Sequence, residues 1–253
     1  YATDKFTPEF SENFFETTVR SLPSNTLPIQ AYDNSVEKLI AAIKPVIFDS
    51  TLYAKRVNQN EDIDLVKNSA NNYYEGVSEA EVDQYYNSKK DPNDPMPISW
   101  GLNSKLMKEN GNLVEKIWKI GGMYSDAIQK IVYWLEKASK VAENEEQQRV
   151  INSLIDYYES GDLLTFDEYS ILWVKDLDSR IDFINGFIET YGDPLGLKAS
   201  WESVVNFKDL EATKRTEIIS QNAQWFEDNS PVDSRFKKET VQGVSAKVIT
   251  AAM

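Results

Sequence analysis

Apolar stripes at helical spacing, an Asn-Gly pair between two apolar runs, and an aromatic-rich segment closed by turn formers predict an α+β fold. It is helix-rich, with a small, mainly antiparallel β element. At 253 residues the chain can bury a sizeable core, as one large or two small domains.

Thr7-Pro8-Glu9 predicts a helix start. Threonine supplies a capping oxygen, proline lacks an N–H where none is needed, and glutamate meets the positive helix end. Phe10, Phe14, Phe15, Val19 and Leu22 follow at helical spacing. A second helix is expected from Asn34-Ser35, with Leu39, Ile40, Ile43 and Val46 inward and Pro45 as a kink point. Ser78-Glu79-Ala80-Glu81 has the form of a capping box and opens a short acidic helix ending near Tyr86. Its prolines and Asp/Asn content make 89–97 a loop.

Asn110-Gly111 lies between Leu106-Met107 and the run from Leu113 to Ile120, which favours a hairpin. A broken helix is the alternative, since Leu113, Ile117 and Ile120 also share a helical face. Two antiparallel helices are expected over 125–160. Ile128, Ile131, Val132, Leu135 and Ala138 stripe the first; Val150, Leu154, Ile155 and Tyr158 stripe the second. The bend falls at 143–146, Gly161-Asp162 ends the pair, and Thr165-Phe166-Asp167-Glu168 starts a further helix. Ser200 to Phe207 suits a strand, Leu210 to Phe226 a helix, and Val244 to Thr250 a terminal strand.

Composition narrows the function. Hydrophobic residues at 41% and aromatics at 12% are too many for a disordered chain. No run of about 18 apolar residues occurs, so no membrane span is expected. The compartment stays open between cytoplasm and periplasm. A net charge of −14 argues against nucleic acid and weakly favours cationic ligands such as peptide amino termini. Plain solubility explains the same charge. Histidine and cysteine are both absent, so neither an ordinary zinc cage nor a His-activated nucleophile can be built from these residues. No metal or other cofactor is therefore expected within the chain itself. No D-x-[DN]-x-[DN]-G loop occurs, and the acidic stretches 60–64 and 91–94 suit solvated turns.

The segment SRIDFINGFIETYGDPLG, 179–196, carries most of the functional signal. Aromatic and β-branched residues bounded by turn formers favour a strand over 180–191. Alternation places Phe183, Asn185, Phe187, Glu189 and Tyr191 on one face. A carboxylate and a phenol then project side by side at the strand end. One can receive a substrate ammonium and the other can donate to a carbonyl. The spacing alone favours the plainer reading, with Glu189 paired with a lysine and Tyr191 capping the core.

Gly186 to Gly196 matches a G-F-x-E-[ST]-Y-x-D-P-x-G pattern, preceded by Trp173-Val174-Lys175-Asp176. In this the chain resembles the dipeptidyl-peptidase III family of zinc metallopeptidases, and most closely its bacterial, Bacteroides-like members. Compatible stretches are 55–59, 73–77, 101–106, 199–202 and 212–216. The resemblance implies that Glu189 binds the free amino terminus of a peptide. It implies that Tyr191 hydrogen-bonds near the scissile carbonyl and supports the tetrahedral intermediate. It also implies a two-lobed peptidase. Residues 1–196 would be the main lobe segment, with the hairpin and the 179–196 strand. Residues 197–253 would be a helical extension toward the second lobe, with a terminal strand.

The family's H-E-x-x-G-H, E-E-C-R-A-[DE] and G-I-N-[IL]-P-N motifs do not occur here. The expectation is an internal segment, inactive alone, that completes its site with the remainder of the same polypeptide and that polypeptide's zinc. A non-catalytic helical binding or scaffold module is the alternative, in which Glu189 and Tyr191 are buried and internally bonded. A glycosidase using Asp167/Glu168 or Glu189/Asp193 is a weaker one, because carboxylates number 41 and chance pairs abound.

Overall fold

The computed structural model describes residues 4–60, 62–243 and 247–252. The chain forms two compact units and passes repeatedly between them. The first comprises Tyr1–Asn93, Ser104–Glu115 and Thr190–Lys198; the second comprises Asp94–Asn103, Lys116–Glu189 and Ala199–Met253.

In the first unit, α1 (Glu12–Ser21) starts later than Thr7-Pro8 predicts. The Ser11 hydroxyl accepts the Phe14 N–H at 3.1 Å and is the cap. Helix α2 (Val36–Phe48) is capped by Ser35, buries Leu39 and Ile40, and runs on through Pro45. Helices α1 and α2 meet through Phe15 and Phe48, whose ring centroids are 6.0 Å apart, and through Arg20, which forks onto Glu37 at 2.8 and 3.0 Å. The predicted capping box is present: Ser78 and Glu81 satisfy each other's backbone N–H and open α3 (Glu79–Asn87). Val82 and Tyr86 on α3 are buried.

Strand β1 (Tyr74–Glu75) pairs in parallel with β2 (Ser104–Glu109), Tyr74 opposite Leu106. β3 (Asn112–Ile117) completes this sheet and enters the second unit after Glu115. Asn110 and Gly111, with φ of 51° and 83°, make the tight turn between β2 and β3, so the hairpin and not the broken helix is found.

In the second unit, α4 (Ser125–Ser139) and α5 (Glu145–Ser160) are the predicted helix pair. The Asn144 side chain accepts the Gln147 N–H at 2.8 Å, and the Ser139 hydroxyl donates to Asn152 at 2.7 Å across the pair. Helix α6 (Leu163–Lys175) begins before the predicted Thr165, because the Asp162 carboxylate caps it by accepting the Thr165 N–H. Ile128, Val132, Val150, Leu154, Tyr157, Tyr158 and Tyr169 form the core of this helical layer.

Strands β4 (Ile181–Glu189) and β5 (Ser200–Lys208) are antiparallel, and β6 (Ile249–Ala251) pairs with the far side of β5. Of the predicted terminal strand, 244–246 lie outside the described residues. The helix expected over 210–226 is broken at Asn222 into α7 (Leu210–Gln221) and α8 (Ala223–Asn229). The architecture is the predicted helix-rich α+β class.

Gly161 closes α5 with φ of +71°, and a Cβ there would stand 2.6 Å from the Ile117 methyl and 2.9 Å from Lys119 Cδ. Left-handed backbone and overpacking act together at this position. Gly161→Ala should destabilise the chain by about 2–4 kcal/mol in urea unfolding. A loss under about 0.5 kcal/mol would show that this corner relaxes freely.

Candidate functional site

Several positions of the Gly186–Gly196 pattern have a local physical task. At Gly186 a Cβ would lie 3.0 Å from the Phe166 ring, so the missing side chain lets α6 pack onto β4. Phe187 is buried, its ring centroid 4.8 Å from that of Trp118 and 6.4 Å from that of Tyr158. Ile188 is then the extra residue of a β-bulge: Phe187 faces Trp201 while Glu189 faces Ser200, the very next residue on β5.

That bulge corrects the alternation read from sequence. Trp201 and Ser200 point to opposite faces, so Phe187 and Glu189 do too. The strand also ends at Glu189, leaving Tyr191 in the following turn rather than on the strand. The unit boundary falls between Glu189 and Thr190, so the two candidates belong to different units.

In the second unit, Glu189 is half-buried at the end of β4, and its backbone carbonyl accepts the Ser200 hydroxyl at 3.2 Å. Among the described residues its carboxylate has no hydrogen-bond or ion-pair partner. A half-buried carboxylate without a local cation is poised for an outside one.

In the first unit, Tyr191 is 51% exposed at the head of a tightly tied turn. The Asp193 N–H donates to the Thr190 carbonyl at 3.0 Å. The Asp193 carboxylate, itself 3% exposed, accepts the N–H groups of Leu195 (3.2 Å), Leu197 (2.9 Å) and Lys198 (2.8 Å). The Tyr74 hydroxyl adds a bond at 2.8 Å, and burial first, then the neighbouring Asp193 charge, pushes that phenol far above its ordinary range. Gly192 is enclosed: a Cβ there would stand 3.2 Å from an Arg56 guanidinium nitrogen and 3.4 Å from the Tyr73 hydroxyl. The 55–59, 73–77 and 101–106 stretches singled out in the sequence thus each send a residue to this turn or its anchor: Arg56, Tyr73, Tyr74 and Ser104.

The turn is anchored at its far end by Lys198, which is fully buried. Its ammonium donates to Tyr86 Oη at 2.6 Å and to Ser104 Oγ at 3.1 Å, and lies over the rings of Tyr86 (4.8 Å) and Tyr74 (5.4 Å). The Tyr86 and Ser104 hydroxyls both donate hydrogen bonds to Glu115, at 2.8 and 2.6 Å, and Lys89 donates to the same carboxylate at 2.6 Å. Burial pushes the Glu115 carboxyl up, but hydrogen bonds from Lys89, Ser104 and Tyr86 outweigh it and hold the group below its ordinary value.

Sequence reasoning missed Lys198 and Glu115, and singled out Asp193 only within the motif and as a chance partner of Glu189, not as the acceptor that ties the turn. Lys198 sits between Leu197 and Ala199, an apolar setting that is a weak signal of burial; nothing local marks Glu115 as a partner of α3.

Among the described residues no three His, Cys, Asp or Glu side chains converge as metal ligands. No helix is long and apolar enough to cross a membrane among the described residues.

Residues 48–245 match the model of Peptidase family M49, and the chain belongs to that family. It is similar to dipeptidyl peptidase 3 of Dictyostelium discoideum, 30% identical over 118 residues, covering 47% of this chain and 17% of that protein. Dipeptidyl peptidase 3 of Rattus norvegicus is 27% identical over 134 residues, 52% of this chain and 18% of its own length. The matched stretches span under a fifth of the length of these relatives. The solved structure of DPP III from Caldithrix abyssi shares the fold, with a TM-score of 0.60 at 15% identity, covering 96% of this chain and 43% of that one.

Asp193→Asn leaves one of the bonded N–H or O–H donors without an acceptor in a buried place. It should cost about 1–3 kcal/mol in chemical unfolding, against no change if water replaces the carboxylate. Glu115 gives a pH signature. Its folded-state value lies below the ordinary 4.5, so its contribution is present above that pH and is lost as pH falls through the folded value. Acid unfolding of Glu115→Gln should accordingly be less steep below pH 4.5 than that of the parent sequence.

Proposed function

We propose that this chain is the substrate-holding part of a zinc-dependent exopeptidase that releases dipeptides from the amino terminus of oligopeptides. The observation that carries the reading is the Glu189 carboxylate, which ends β4 with no partner among the described residues. A peptide ammonium is the cation it would receive, and counting from that anchored end sets the length of the fragment released. Tyr191, half-exposed on its tied turn, would donate a hydrogen bond to the oxygen that gains charge as the scissile carbonyl becomes tetrahedral.

The zinc, and the residues that bind it, would come from the remainder of the polypeptide, so the chain alone would bind peptide without cleaving it. Residues 1–196 would belong to the main lobe, with 197–253 reaching toward the second. A scaffold role for the motif requires Tyr191 in the core, and its 51% exposure disfavours that.

Two measurements test the reading. In calorimetry with this chain, a tetrapeptide with a free amino terminus should bind at least tenfold more tightly than its N-acetylated form, and Glu189→Gln should erase the difference, since a charge-assisted bond is worth about 1.5–3 kcal/mol. Equal binding of both peptides would remove Glu189 from its role. In a zinc-loaded enzyme containing this chain, Tyr191→Phe should lower kcat about 100-fold with little change in KM. An unchanged kcat would remove Tyr191 from the transition state.

A further inference from the structure

Among the described residues only two charged side chains are buried, Asp193 at 3% exposure and Lys198 at 0%. They lie five positions apart in the turn that carries Tyr191. Burying charge is costly, and well-packed apolar residues commonly stabilise a fold as well as a buried ion pair does. A pair of charges retained here fixes a geometry.

We propose that Lys198 is a positioning residue for Tyr191: its buried ammonium pegs the far end of the 190–198 turn and so sets the direction from which the phenol projects. The chain of contacts is continuous within the first unit. The ammonium is held by Tyr86 and Ser104, the Lys198 N–H donates to Asp193, and the Asp193 N–H donates to Thr190, one residue before Tyr191. The Lys198 end of the turn cannot shift without breaking a buried polar bond, and the Thr190 end cannot shift without breaking its backbone bond to Asp193. The consequence for catalysis rests on Tyr191 meeting substrate as proposed above, whereas the hold on the turn does not.

The peg is also protonation-sensitive. Burial pulls the ammonium down to about 8, against the upward pull of Glu115 and Asp193, with Lys89 adding to the downward push. The groups facing it are Tyr86 and Lys89 from α3, Tyr74 from β1, Ser104 from β2, Glu115 from β3, and Asp193 from the turn. Below that pH the ammonium donates to Tyr86; above it, the neutral amine can accept the Tyr86 proton instead. One proton thus sets the direction of the Lys198–Tyr86 bond, and with it whether Tyr86 donates to Glu115. Because the folded value lies below the ordinary 10.5, the unfolded chain binds more protons between pH 8 and 10.5, and stability rises across that window.

The test is an NMR titration of backbone amides 190–198 in this chain. The parent sequence should show a common midpoint near pH 8, absent in Lys198→Met, where the Leu197 amide should also exchange at least about tenfold faster. If Lys198→Met does not fold, Tyr86→Phe carries the test. It removes an acceptor that favours the charged amine, so the midpoint should move to lower pH. Superimposable titrations and exchange rates in Lys198→Met, or an unmoved midpoint in Tyr86→Phe, would overturn the proposal. In a zinc-loaded enzyme containing this chain, Lys198→Met should lower kcat about tenfold with KM within twofold. Altered amides with an unchanged kcat would support the peg and count instead against the role of Tyr191.

Discussion

Two opposite charges buried in one short turn are the constraint on which the first unit depends. Asp193 and Lys198 have left water, and only a complete set of polar partners makes that tolerable. The partners come from everywhere nearby in the fold: Tyr74 from β1, Tyr86 from α3, Ser104 from β2 and three N–H groups from the turn itself. Glu115 and Lys89 complete the arrangement behind them. Short parallel pairing of β1 with β2, and the hairpin into β3, are what bring these residues to one place. The turn is thereby over-determined, and a side chain at its head inherits a fixed direction.

The second unit holds its candidate residue by a different means. There the devices are apolar contact and strand register: Phe166 against Gly186, Phe187 among Trp118 and Tyr158, and a bulge at Ile188. The bulge turns Glu189 away from the face on which Phe187 is buried. Without it, the carboxylate would follow Phe187 toward the aromatic core, where its charge would be costly. A β-bulge thus turns the carboxylate away from the aromatic core, and two buried charges, each with its own polar partners, tie the turn that carries the phenol.

What was legible in the sequence is what short-range chemistry decides. Asn110-Gly111 specified its turn because both positions need positive φ, and Ser78 with Glu81 specified a helix start because the capping box closes within one helical turn. Helix stripes over 125–160 gave the layer correctly. The start of α1 was misplaced because Thr7-Pro8 and Ser11-Glu12 both offer caps, and only Ser11 finds the right N–H. The start of α6 was misplaced for a similar reason, at Asp162. The bulge was not legible, since it is defined by the partner β5 and not by β4 alone. Nor was the Lys198 anchor, whose hydroxyl partners lie 94 and 112 residues away along the chain. Motif spacing singled out Glu189 and Tyr191, while alternation put Phe187 and Glu189 on one face, which the register does not give, and extended the strand to Tyr191, which lies beyond its end.

The most direct measurement is chemical-shift mapping of this chain with an unlabelled tetrapeptide bearing a free amino terminus. The account predicts saturable perturbations at the Glu189 and Tyr191 amides, weakened when the peptide is N-acetylated. Perturbations confined to other surfaces, or indifferent to acetylation, would contradict the claim that this chain holds the amino end of a peptide.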